Sequence, residues 1–146
     1  MRTLLFLTLV VVLTVTAYGA GYNIEELSEE GAGKKPFSIT QVEQQRGELR
    51  LFIQADNIAQ IQRLISNGTL SAQFSNGESA ITVPLSLSKA VTCDTGTIYH
   101  LGYSASLPDC PIIQTRYYLR IPVTLEQGSD LAIGLDPDFI WFIEKQ

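Results

Sequence analysis

Apolar and polar residues alternate along much of this chain with a period of two, the spacing of a strand that buries one face. Phe37 to Val42 alternates in this way, and after the polar break EQQRG the pattern resumes from Glu48 to Gln54, with Leu49, Leu51 and Ile53 on one side. Thr69 to Phe74 groups Leu70, Ala72 and Phe74, then Ser75-Asn76-Gly77-Glu78 supplies a turn and Ala80 to Leu87 alternates again. An Asn-Gly pair between two alternating runs predicts a hairpin. Pro84 lacks the amide donor that a ladder needs, so its strand should lie at a sheet edge or contain a bulge. Thr115 to Val123 sets Tyr117, Leu119, Ile121 and Val123 on one face and Tyr118 and Arg120 on the other. Asp130 to Leu135 turns at Asp136-Pro137-Asp138 into Phe139 to Ile143, which is apolar on both faces and is expected to be covered on both. From Asp56 to Ile65 the residues Ile58, Ile61, Leu64 and Ile65 fit helical spacing, and a short helix and an extended segment are both compatible with it. The spacer Asp94 to Asp109, with Tyr99, His100, Leu101 and Tyr103, suits a small hairpin of its own.

About seven short strands with turn signals between them and no long helix predict an all-β protein, an Ig-like antiparallel β-sandwich. The folded domain is expected over 36–146. Residues 1–19 carry one positive charge at Arg2, an apolar run from Leu4 to about Val15 and small residues near Ala17 and Gly19. That is the pattern of a secretory signal peptide. Residues 20–35 hold four glutamates and three glycines with no sustained period, which predicts a mobile acidic segment.

Export changes the reading of composition. Removing the signal peptide takes away Arg2 and no acid, so the formal charge moves from −5 to −6. An acidic chain without a basic cluster is a poor partner for nucleic acid or anionic membrane surfaces. In an oxidising compartment the two cysteines, Cys93 and Cys110, are expected to pair and tie the end of one strand to the start of the next. Asn67-Gly68-Thr69 is an N-glycosylation sequon, which makes Asn67 a candidate for glycosylation.

Catalytic chemistry has little support. His100 is the single histidine, and Ser104 and Ser106 lack nucleophile-elbow glycines or an oriented partner. Asp136 and Asp138 fall short of the ligand count of a calcium loop, and paired cysteines leave no thiolate for zinc. No catalytic residue, metal site or cofactor is assigned, and the chain is read as a non-enzyme. Tyr99, Tyr103, Tyr117 and Tyr118 suit a platform for a sugar ring, although ordinary strand packing accounts for them as well. Lys89, Arg116 and Arg120 read as solvated charges on strand faces.

The region from about Gly47 to Val123 resembles the ML lipid-recognition family, which includes Niemann-Pick type sterol carriers, group 2 mite allergens and phospholipid transfer proteins. The matching features are Gly47 before the alternating strand of Leu49, Leu51 and Ile53, then Val83 to Leu87 (VPLSL), Cys93, Cys110-Pro111-Ile112, the strand bearing Tyr117 and Tyr118, and Ile121-Pro122-Val123. The resemblance implies a secreted lipid-binding or transfer protein, with a sterol, fatty acid or phospholipid tail in an apolar cavity between splayed sheets. It places the protein outside the cell or in the endosomal or lysosomal lumen, as a monomer that meets a membrane receptor or acceptor protein. The inward rows expected to line the cavity are Leu51, Ile53, Leu70, Phe74, Val83, Leu85, Tyr117, Leu119, Ile121, Ile133 and Trp141. The alternative is a secreted Ig-like module that binds a protein or glycan through its loops.

Overall fold

The computed structural model describes the backbone of residues 9–16 and the whole of residues 21–146. The protein is an all-β sandwich, with two antiparallel sheets and one short helix among the described residues. In chain order the elements are β1 (Leu9–Thr16), β2 (Tyr22–Glu29), β3 (Ser38–Gln45), β4 (Glu48–Gln54), α1 (Ile58–Ser66), β5 (Leu70–Ser75), β6 (Ala80–Val83), β7 (Ser86–Cys93), β8 (Ile98–Gly102), β9 (Ile112–Ile121), β10 (Asp130–Leu135) and β11 (Phe139–Lys145). One sheet has the order β1-β2-β11-β10-β5-β6 and the other β3-β4-β9-β7-β8.

Several elements differ from the sequence expectations, each for a readable reason. The acidic stretch expected to be mobile contains β2, which pairs with β11, and its Tyr22 and Ile24 are buried in the core. Its glutamates hide a short alternation in which every second residue from Tyr22 to Glu26 faces inward. Of the expected signal peptide, residues 1–8 and 17–19 lie outside the described residues, and Leu9–Thr16 pairs antiparallel with β2. The run Ala80 to Leu87 is two strands in different sheets. Val83 ends β6, and Pro84-Leu85 carries the chain across to β7, so the proline sits just beyond an edge strand. The Asn76-Gly77 hairpin joins β5 to β6, and Gly77 adopts φ +100, a backbone conformation that disfavours residues with a Cβ. The spacer does not fold back on itself, because β8 pairs with β7 instead.

The helical spacing resolves as α1. Asn57 caps it, its side chain accepting a hydrogen bond from the Gln60 amide at 3.2 Å, and Gly68, at φ +80, follows the last turn. The helix packs on β5 and β7, with Ile61 fully buried and Ile58, Leu64 and Ile65 against the same core.

Inward-facing residues of the two sheets meet in one core. Register sets its rows: Val42, Leu51, Leu119 and Leu87 lie side by side across β3, β4, β9 and β7, and all are buried. On the facing sheet Trp141, Ile133 and Ala72 form a row across β11, β10 and β5, with Trp141 stacked on Phe37 at 4.3 Å between centroids. The final strand is covered on one face only. Phe139, Trp141 and Ile143 are buried, but Ile140 and Phe142 on the other face are half-exposed.

Candidate functional site

The core thins toward the margin where β6 and β8 are the edge strands. One inward row makes this plain. Ile24, Ile143, Leu131, Phe74 and Ile81 are register partners across β2, β11, β10, β5 and β6. Ile143 and Leu131 have no exposed surface, Phe74 is half-buried, and Ile81 is 57 % exposed although it faces the same side. The next row ends similarly, with Ala72 buried and its partner Val83 only half-buried. In the facing sheet, buried Val91 pairs with Tyr99, which is 42 % exposed. Both edge strands therefore carry apolar side chains on their inward face that remain exposed.

The loop after β8 borders this margin. Lys89 interrupts the inward alternation of Leu87 and Val91, and it is buried, contrary to its reading as a solvated charge. Its ammonium group donates to the carbonyl oxygens of Tyr103 (3.1 Å) and Ala105 (2.9 Å), which satisfies a charge that would otherwise be costly to bury. Tyr103 in turn lies 6.3 Å from Tyr117, centroid to centroid. The Cys93–Cys110 disulfide closes the far end of the same excursion, joining the end of β7 to the approach to β9 as expected from the sequence.

The expected lining residues fall into two groups. Leu51, Ile53, Leu70, Leu119, Ile121, Ile133 and Trp141 are buried in the closed centre of the sandwich. Phe74, Val83, Leu85 and Tyr117 are partly exposed and pack against the rim of that core. Leu51, Leu119, Ile121 and Ile133 have no accessible surface, so no space the size of a water molecule adjoins them. Sequence reasoning missed Ile81, which shares the alternation of Val83 and was legible there; it named Tyr103 among the four tyrosines of a platform, but not its contact with the buried lysine.

The tyrosines do not form one platform. Tyr118 lies on the outer face of the five-stranded sheet, buried with Phe52 and Ala90 in a small second cluster. Arg116 lies over the Phe52 ring at 4.0 Å and Arg50 over the Tyr118 ring at 5.5 Å. His100 is on a strand rather than in a loop, and its Nδ1 is 3.2 Å from the Tyr118 hydroxyl. Burial and the nearby Arg50 guanidinium, in that order, hold the His100 imidazole below its usual pKa, although Glu43 and Glu48 pull the other way. Beside this group Glu48 accepts from Arg50 Nε and Arg120 Nε, each at 2.7 Å. Burial pushes the Glu48 carboxyl up, but the two arginines together outweigh it and hold the group below the ordinary carboxylate range.

Asn67 is exposed at the end of α1, with its side chain accepting from the Thr69 amide at 3.0 Å. Among the described residues no helix is long and apolar enough to cross a membrane. The class defined by these observations is a disulfide-bearing all-β sandwich with an apolar margin between its sheets. Compared with protein-family models, curated proteins and solved structures, the chain gives no match.

Proposed function

We propose that this chain is an exported, non-enzymatic carrier that shields the apolar tail of a sterol, fatty acid or phospholipid along the margin between β6 and β8, and passes it to a membrane receptor or acceptor protein. The observation that carries this reading is the inward row that runs from fully buried Ile143 and Leu131 to Ile81, 57 % exposed. A continuous apolar surface that leaves its own core half-covered gains by covering the rest, and a lipid tail gains about 0.8 kcal/mol for each CH2 removed from water. Phe74, Val83, Leu85 and Tyr117 would touch the tail, while the seven fully packed residues form the wall behind it. The disulfide supports an oxidising destination, outside the cell or in the endosomal or lysosomal lumen. The ML-like segment agrees with this assignment, since it spans β4 to β9 and includes both edge strands of the margin.

The closed centre favours a second reading, an Ig-like module that recognises a protein or glycan through its loops and outer faces. Native mass spectrometry of the secreted protein, followed by lipid identification from the same sample, separates the two. A carrier shows a stoichiometric adduct of lipid mass, and Ile81→Glu, at an exposed position that tolerates charge, abolishes it without lowering the melting temperature by more than a few degrees. A clean apoprotein mass that persists after incubation with sterols, fatty acids and phospholipids leaves only the interaction module.

A further inference from the structure

The outer face of the five-stranded sheet carries a concavity, unrelated to the apolar margin. It has a volume of about 320 Å³ and is walled by Arg50, Arg120, Ser86, Ser88, His100 and Tyr118. Strand register creates it. Arg50 of β4, Arg120 of β9 and Ser86 of β7 are direct neighbours in one outward row, and Tyr118, Ser88 and Gly102 form the next. Gly102 has no side chain, and the row is open at that end.

Two like charges placed directly opposite each other on a sheet repel. Glu48 relieves part of this by binding both arginines, but it does so only through their Nε atoms, one carboxylate oxygen to each. Among the described residues the terminal Nη groups of Arg50 and Arg120 have no hydrogen-bond partner. Glu43, the register partner of Arg50 on β3, lies in the same outward row, so the two guanidinium groups are balanced by two carboxylates and what the concavity offers an anion is free donors rather than net charge. The Arg50 side chain is 16 % exposed and its guanidinium lies over the Tyr118 ring at 5.5 Å. A planar fork of donors with missing partners matches an oxyanion, which accepts two N–H bonds at once.

We propose that this concavity is a binding site for the oxyanion group of a small ligand, held by the Nη groups of Arg50 and Arg120 with the hydroxyls of Ser86 and Ser88 at its base. Glu48 serves as a positioning residue that fixes both forks by their Nε atoms and competes with the ligand for their charge. The site reads donor geometry, so carboxylate, phosphate and sulfate share the chemistry it needs. It stands independently of lipid carriage.

The test is a titration of the full folded protein with acetate, inorganic phosphate and inorganic sulfate in turn, at constant ionic strength set with chloride. The Nε–H signals of Arg50 and Arg120 and the amides of Ser86 and Ser88 are followed by NMR. Saturable, local shifts with at least one of the three anions, absent with chloride, are expected, and the strongest responder separates a planar from a tetrahedral group. Arg120→Gln, at a half-exposed side chain, should weaken that anion about tenfold, the scale of one charge-assisted hydrogen bond. Glu48→Gln should strengthen it by a similar factor, whereas a purely structural ion trio would lose thermal stability and gain no affinity. No saturable shift with any anion overturns the proposal, as does an unchanged response in Arg120→Gln, which remains informative if Glu48→Gln fails to fold.

Discussion

A side chain that carries charge must find its partners in the fold, and three residues, one buried, one half-buried and one exposed, show how differently that is met. Lys89 turns inward and is capped by two carbonyl oxygens of a loop. Glu48 stays at the surface of its sheet and is shared by two arginines. His100 has a phenol hydroxyl as neighbour and an unfavourable cation close by. For His100 the sign is clear. Its pKa is lowered in the fold, so the folded state favours the neutral ring; stability is complete above the unfolded value, roughly 6.5, and is lost as the pH falls through the folded value. Denaturant midpoints at pH 7.5 and 5.5 should therefore differ more in the wild type than in His100→Gln. Equal differences in the two proteins would remove the imidazole from the account. At this scale the sequence was least legible. Lys89 and Tyr118 sit in ordinary alternating runs, and nothing in the period distinguishes a lysine that a distant loop will cap from one that water will solvate. The two partners that bury Tyr118 on an outer face, Phe52 and Ala90, lie on different strands and become visible only through register.

Elements were more legible because local chemistry defines their ends. Asn76-Gly77 marked its hairpin, and helical spacing after Asn57 resolved as a capped helix. Pro84 marked an edge, although the chain uses it to change sheets rather than to bulge within one. What failed was β2, whose glutamates concealed the alternation of Tyr22 and Ile24, because one strand of only eight residues needs its partner β11 to be recognisable as a strand. The disulfide belongs to this scale as well. It spans 17 positions, encloses β8 and the loop held by Lys89, and is worth about 3 kcal/mol if it acts by restricting the unfolded chain. The Cys93→Ala/Cys110→Ala double variant should therefore melt well below the wild type, with reductant lowering the wild type to a similar value. An unchanged melting curve in reductant, with thiol titration confirming reduction, would show that Lys89 and strand pairing suffice to hold the excursion.

For the molecule as a whole, the two-sheet sandwich was readable from the sequence because period two, short connections and the lack of a long helix leave few other architectures. The interior was not. Alternation identifies which residues face inward, and cannot distinguish those that meet a neighbour from those that meet a gap, since that depends on how far two sheets overlap. Leu119 and Phe74 illustrate the difference. Both face inward, but the first has no exposed surface and the second lies at the rim. Leu119→Ala should cost about 2 to 5 kcal/mol in stability, as a cavity in a closed core does. Phe74→Ala should cost less and reduce lipid uptake more, as read by chemical denaturation and by mass spectrometry of the lipid adduct. If the two variants rank alike in both measurements, rim and centre do not have separate roles.

The strand order gives the six-stranded sheet an unusual timetable. β11 lies between β2 and β10, so a strand near the front of the chain must wait for one at the very back. During synthesis every other strand of that sheet emerges before its middle does. A chain that stops at Pro137 would therefore lose the seam that unites the sheet rather than a strand at its edge, leaving β2 and β10 each with an open row of amides and carbonyls. Unpaired rows of that kind recruit other chains, and the distant pairing they await is slow to form. β11 thus acts as a check on what precedes it, because only a chain that includes it can close both edges at once.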